Sequence, residues 1–433
     1  MKLPSMLLFS TLSLLCAREI TFTELQSAAS ANSHRLKLRS IDTSIEQARL
    51  EGVYSTLYPQ LSFGYNGEYN RNLDTASGGV SVGDTVINST VPHKDSVSLR
   101  MNYELYHFGT TLKQIEMSKN EIAAKKLEVC NEKTKLHLEL LDHYVQAQKS
   151  QSEYRYKSKM HTLRQELYTL KQRLYAAGKE SRVSVGDEAI RLIDLEREIE
   201  RAHMSYDENL IALTKLSHIE LNLKETQLLP LTTNTDEIHL RNFEENSQAR
   251  QYQEKILQKN SEISMNERSQ LPVISMYSNY YLYGSDMNNA YDALSSIKPN
   301  SWNAGLSVRW NLFEGFKYNH ESTRLYLERD RIQEEYALAK REFDANTQTK
   351  QQHLERLAML TKNETEALTE TRSKITMTQR LRAGGEADAV SEVSVKLEGL
   401  ERELTLESEM NQHAYEAESL KLQHRGVEEC TPR

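Results

Sequence analysis

Arg173-Leu174-Tyr175-Ala176-Ala177-Gly178-Lys179-Glu180-Ser181 decides the fold, because the chain contains a second version of it. That version is Arg380-Leu381-Arg382-Ala383-Gly384-Gly385-Glu386-Ala387-Asp388, offset by 207 residues. The same offset pairs Leu105-Tyr106-His107-Phe108-Gly109 with Leu312-Phe313-Glu314-Gly315-Phe316. Between these markers, residues 110–177 and 317–383 contain no Gly and no Pro. About 67 residues rising 1.5 Å each make a helix about 100 Å long, against a globular mean of about 11–12 residues. The sequence therefore describes a duplicated long helical hairpin with glycine at each tip.

Both arms of the hairpin carry a seam. Leu163, Leu167, Leu170 and Leu174 step by coiled-coil intervals up to the first tip, and Leu192, Leu195, Ile199, Ala202 and Tyr206 step back from it. This return helix is expected to reach about Leu229, before Pro230. After the second tip, Leu397, Leu400 and Leu404 repeat the pattern.

Ahead of each hairpin the hydrophobic period changes to two. Thr21-Phe22-Thr23-Glu24 is a capping-box pattern that starts a helix expected to reach about Tyr54, before Pro59. Leu61, Phe63, Tyr65 and Tyr69 then alternate with polar residues. Beyond a Gly/Ser/Thr-rich loop (about 73–92), Val97, Leu99, Met101, Tyr103 and Leu105 do the same. In the second half a helix is expected over about 241–268. A Tyr-rich strand over 270–283 alternates poorly. After a polar loop (about 284–300), Trp302, Ala304, Leu306, Val308, Trp310 and Leu312 alternate cleanly. Strands of about ten residues, apolar on one face and charged on the other, carry the signature of a transmembrane β-strand. Trp302 and Trp310 bracket the apolar face at a spacing that suits an aromatic girdle. An ordinary sheet over a core of two tryptophans is the simpler alternative. Four strands cannot close a barrel and open edges are not tolerated in lipid, so several chains must share one. Three would give twelve strands, within the observed range.

The chain has 433 residues, 38% hydrophobic and 27% charged, with net charge −8. Mixed charge of that sign argues against nucleic acid. No apolar run of 18 residues occurs, so no transmembrane helix is expected. Lys2 and the apolar stretch ending Leu15-Cys16-Ala17 resemble a secretory signal peptide, with Cys16 raising lipid attachment. Cys130 and Cys430 lack metal-ligand spacing. Hydrolase, zinc-protease, phosphate-loop and Cys-x-x-Cys motifs are missing from the sequence. The histidines, including His137 and His143, are expected on helix surfaces. Neither catalytic residues, a metal site nor a cofactor is expected.

The order and duplication of these motifs resemble the outer-membrane efflux duct family, the TolC-like proteins. The resemblance rests on Phe22-Thr23-Glu24-Leu25, Pro59 and Pro272 before the strands, Leu312-Phe313-Glu314-Gly315, and the tips at Gly178 and Gly385. It covers about residues 20–425. It implies an α+β membrane protein whose duplicated helical hairpins form a trimeric α-barrel. Four strands per chain would contribute to a shared twelve-stranded outer-membrane β-barrel. The expected organisation is a signal peptide (1–17), a first repeat (18–229, β-hairpin 59–106), a second repeat (230–425, β-hairpin 270–313) and a tail (426–433). A homotrimer in outer-membrane lipid, reaching into the periplasm, would dock a periplasmic adaptor joined to an inner-membrane pump. It would conduct efflux or type I secretion substrates passively.

Adaptor contact then falls to Gly178, Lys179, Glu180, Ser181, Gly385, Glu386, Ala387 and Asp388. The family often carries Asp six residues after the tip glycine, as an acidic constriction. Here Ser184 and Ser391 stand there, with Ser394 at a further such position, leaving Asp388 and Glu392 as the nearby acids of the second tip. A weakly acidic entrance is expected. A periplasmic adaptor or a coiled-coil structural protein are the rival readings. An adaptor normally has one hairpin, and a filament does not need alternating strands in both halves.

Overall fold

The computed structural model describes residues 18–70, 80–82, 85–87, 91–221, 226–231, 239–426 and 428. The expected signal peptide, Cys16 and Cys430 lie outside them. In chain order the elements are β1 (Arg18–Ile20), α1 (Phe22–Asn32), α2 (His34–Ser55), β2 (Gln60–Tyr69), β3 (Val80–Val82), β4 (Thr85–Ile87), β5 (His93–Tyr106), α3 (Thr110–Ala176) and α4 (Arg182–Ser217). The second repeat adds β6 (Thr226–Leu228), α5 (Ser247–Arg268), β7 (Val273–Asp286), α6 (Ala290–Ser295), β8 (Lys298–Arg309), α7 (Lys317–Ala383) and α8 (Ala389–Gln423). Helices α3 and α7 are each 67 residues long and start 207 residues apart, as the offset requires.

Local chemistry sets the boundaries. Thr21 caps α1 through a full capping box with Glu24. The single helix expected to Tyr54 is broken at Ser33, whose ψ of 120° leaves the helical region. The return helix α4 stops at Ser217 rather than near Leu229, because His218 turns left-handed at φ 58° and closes the last turn onto the Thr214 carbonyl. Histidine is an uncommon terminator in place of glycine. Released from the helix, Thr226–Leu228 forms β6 and pairs in parallel with β1.

Contacts divide the chain into two compact units, each drawn from both repeats. The first comprises residues 1–41, 126–250 and 337–433. Its helices lie in the order α4, α3, α8, α7. Ser150 meets Ser205 and His143 meets Asn209 between α3 and α4. Ser152 and Arg155 on α3 both reach Glu407 on α8. Arg372–Glu403 and Lys374–Glu398 tie α7 to α8. One core gathers Ile20, Phe22, Leu25, Leu140, Tyr144, Leu210 and Leu213. The Tyr144 hydroxyl lies within hydrogen-bond distance of the Ile20 and Leu229 carbonyls, tying the C-terminal ends of β1 and β6 together. The end of α8 and the residues just after it are docked. Leu422 is fully buried, His424 bonds the Arg241 backbone, and Gly426 bridges Asn246.

The second unit comprises residues 42–125 and 251–336. Its centre is an antiparallel sheet in the order β2-β5-β7-β8, so the β-hairpins of the two repeats join through β5 and β7. Leu61 stands opposite Met101, Phe63 opposite Leu99, and Leu99 opposite Tyr280, which faces Trp302. All share one face. The other carries Ser62, Arg100, Asn279 and Asn303 in one row. The register explains the poor alternation of β7. Its even residues Ile274, Met276, Tyr280 and Leu282 join the apolar face, while Tyr277, Tyr281 and Tyr283 put aromatic rings on the polar one. The loop expected over 284–300 is partly ordered, as the end of β7 and the short α6 capped by Asn289. Of the first loop, β3 and β4 pair as a ribbon. Among the described residues no helix is long and apolar enough to cross a membrane.

Candidate functional site

Both tips end with the same device. At the first, the Gly178 N–H reaches the Tyr175 carbonyl at 2.9 Å and the Lys179 N–H reaches Leu174 at 2.8 Å. At the second, Gly385 reaches Arg382 at 3.0 Å and Glu386 reaches Leu381 at 2.9 Å. Each is a Schellman motif, which needs a left-handed residue after the helix. Gly178 (φ 72°) and Gly385 (φ 84°) provide it. A Cβ at either would meet no atom within 4 Å, so glycine is needed for backbone conformation rather than for space. The helix junctions are left-handed at matching positions too. Phe108-Gly109 and Gly315-Phe316 all have positive φ, so the glycine changes place within the pair while the backbone shape stays.

Three residues beyond each tip glycine, the return helix is capped. Ser181 Oγ accepts the Ser184 N–H at 3.1 Å, and Asp388 Oδ1 accepts the Ser391 N–H at 2.7 Å. The Ser391 hydroxyl and N–H hold the Asp388 carboxyl below its ordinary range. Asp388 is therefore an ionised helix cap. Lys179, Ser181, Glu386, Asp388, Ser391 and Ser394 are exposed, while Glu180, Ser184 and Ala387 are half-buried. Beside the second tip, an open groove of about 540 Å³ is lined by Met377, Arg380, Leu381 and Glu386 among others.

Glu392 has a different environment from its neighbours. Its side chain is only 9% exposed, bonded to Lys396 at 2.7 Å and to Arg382. Those two cations, Lys396 first, push its pKa down to about 2. The first hairpin holds an acid that sequence reasoning did not single out. Glu188 is fully buried between Arg164 at 3.0 Å and Lys171 at 3.1 Å. A signal was present: Glu188 falls on the apolar stripe of Val185, Leu192 and Leu195. A carboxylate there must be paired.

His137 corrects the expectation of a surface histidine. It is 2% exposed. Its Nδ1 accepts from Gln26 at 3.1 Å and Arg425 at 3.0 Å, which leaves Nε2–H to donate to Ser30 Oγ at 2.8 Å. Burial, then the Arg425 charge, lowers its pKa to about 3. Among the described residues, no group of three or more His, Cys, Asp or Glu could hold a metal. On the sheet, Trp302 is 74% and Trp310 59% exposed, so neither is a core residue of the chain. The Trp310 indole N–H donates to the Gln270 carbonyl at 3.0 Å.

A duplicated hairpin of this length, with a four-stranded sheet built from both halves, can be compared with known proteins. Residues 25–217 match the outer membrane efflux protein family. The match covers a little under half of the chain. Together with the fold, it supports an outer-membrane efflux channel that reaches into the periplasm. Solved structures agree on the fold. CusC aligns with a TM-score of 0.76 at 15% identity, covering 94% of this chain and 92% of its own. The Campylobacter jejuni CmeC outer membrane channel aligns at 0.74 and 14%, covering 93% and 85%. The Neisseria gonorrhoeae MtrE outer membrane channel, in its open state, aligns at 0.69 and 14%, covering 94% and 89%. Compared with curated protein sequences, the channel has no significant match.

Proposed function

We propose that the channel is a homotrimer in which three four-stranded sheets close one twelve-stranded barrel. The observation that carries this is the sheet itself. Both of its edge strands, β2 and β8, pair on one side only. Its apolar face is exposed at Phe63, Leu306 and Val308. Such edges are not sustained in hydrocarbon, and pairing β2 of one copy with β8 of the next removes them. The helical layer supports association between copies. Its outer helices α4 and α7 keep Ile190, Ile193 and Ile211, and Leu338, Met359 and Met377, exposed, apolar surface that a neighbouring copy would cover.

In this reading the twelve hairpin helices of three copies form the α-barrel across the periplasm, and the barrel crosses the outer membrane with Trp302 and Trp310 at its rims. The tips, Gly178–Ser181 and Gly385–Asp388, contact a periplasmic adaptor that couples the duct to an inner-membrane pump. The channel is passive, serving efflux or type I secretion without catalysis or cofactor. Ser184, Ser391 and Ser394 line the entrance with hydroxyls. Of the two entrance acids Asp388 and Glu392, Asp388 keeps its charge exposed, because Glu392 is already neutralised by two cations. Purified protein in a planar bilayer is expected to give discrete single-channel steps with mild cation selectivity. Protein that inserts and never conducts would contradict the proposal.

A further inference from the structure

We propose that the polar face of the sheet carries a weak binding ladder for planar aromatic anions, made by Tyr277, Tyr281 and Tyr283 with Arg100. This rests on the reading of that face as the channel wall. The register puts all three tyrosines beside Ser98, Arg100 and Asn279 rather than with the apolar residues. A water-facing strand needs no aromatic rings for its own stability in lipid. Small cross-strand neighbours leave two of the rings room: Tyr281 lies between Ser98 and Ser301, and Tyr277 pairs with Gly305 on one side. A Cβ on Gly305 would come within 2.8 Å of the Tyr277 hydroxyl, so that ring lies flat over the glycine.

Tyr281 and Tyr283 are nearly parallel, 16° between planes and 6.1 Å between centroids. That is toward the wide end of the about 4.5–7 Å range of aromatic pairs, and it leaves ring faces available to a third flat group. The Arg100 guanidinium stands 6.0 Å from the Tyr281 ring centre, where it adds a positive charge to the same surface. A flat ring bearing a sulfonate or carboxylate satisfies both features at once. A saturated anion satisfies only the charge. Three copies would repeat the ladder around one wall, and weak sites in series slow a solute without trapping it.

The test uses full-length protein, purified in detergent and in planar bilayers, with naphthalene-2-sulfonate against cyclohexanesulfonate. Wild type is expected to bind the naphthalene probe about fivefold more tightly, read by fluorescence anisotropy and by excess current noise. Tyr281→Ser with Tyr283→Ser should abolish that preference, the corresponding Phe double variant should keep it, and Arg100→Gln should weaken both anions together. Equal binding of the two sulfonates by a conducting wild-type channel overturns the ladder. So does a preference that survives the double Ser variant. Unitary conductance separately reports the channel reading, and a protein without it overturns the ladder's placement on a channel wall.

Discussion

The helical unit and the sheet unit put their apolar residues to opposite uses. In the helices, Leu140, Tyr144, Leu210 and Leu213 are fully buried within one chain, and a buried charge such as Glu188 is held in ion pairs. In the sheet, Phe63, Trp302, Leu306 and Val308 are exposed, and the polar residues share the other face. The same residue types thus meet two solvents. A helix seam needs only its own chain to exclude water, whereas the sheet face needs lipid and its edges need other copies. A substitution should therefore act oppositely in the two regions.

The largest expected effect is at a charge inside the helices. Glu188→Ala removes the shared partner of Arg164 and Lys171, each no more than 17% exposed, and leaves Arg164 only its 3.8 Å contact with Glu401; it should cost about 3–5 kcal/mol. Replacing all three by apolar residues of similar size should recover most of the loss. Denaturant unfolding of the detergent-solubilised protein measures both. A triple variant no better than Glu188→Ala would break the view that helix interiors tolerate charge only as pairs. On the sheet, Leu306→Arg near mid-membrane should cost about 2–4 kcal/mol, while its polar-face neighbour Ser307→Arg should be tolerated. Equal loss of assembled protein for the two would erase the distinction between faces.

Much of this contrast was legible in the sequence. The offset and the glycine-free runs gave both long helices, and period-two alternation gave β2, β5 and β8. What escaped was contact between distant parts of the chain. Nothing near His218 announces a helix end, because histidine replaces the usual glycine. β7 read poorly because tyrosine suits a membrane face and a watery one alike. At the tips, the expected entrance serines at 184 and 391 lie in the first turns of the return helices α4 and α8. The neutralising Arg382 was not foreseen, since it lies across the turn from Glu392. Lys396, four residues on, was the readable half of that pair.

Smaller effects sharpen the comparison at the tips. Glu392 has a pKa lowered to about 2 in the folded protein, so its contribution is present above the unfolded carboxylate value and is lost as pH falls toward 2. Hydrogen-exchange protection at the start of α8, corrected for the intrinsic pH dependence of amide exchange, should therefore fall from about pH 4.5 downward, and Glu392→Gln should flatten that decline. His137 adds a second acid sensitivity in the core. The unfolded chain takes up its proton near pH 6.5 and the folded chain only near 3, so stability should decline between those values. His137→Gln should reduce the slope in pH-dependent thermal unfolding. The smallest effect is functional: Ser391→Asp should leave folding unchanged and introduce divalent-cation block of the single-channel current, with little block of the wild type. Strong wild-type block that persists after Asp388→Asn with Glu392→Gln would place fixed negative charge elsewhere.

The shared barrel is tested most directly by joining its edges. Cysteines placed in β2 and β8 of one chain, scanned at Ser62, Gly64 and Asn66 against Ser301, Asn303 and Gly305, can link only neighbouring copies if the sheet order is β2-β5-β7-β8. Oxidation of outer membranes carrying these variants should give bands of one, two and three copies, ending at a closed trimer at the correct register. Bonds formed within single chains, or a ladder that runs past three, would contradict the account.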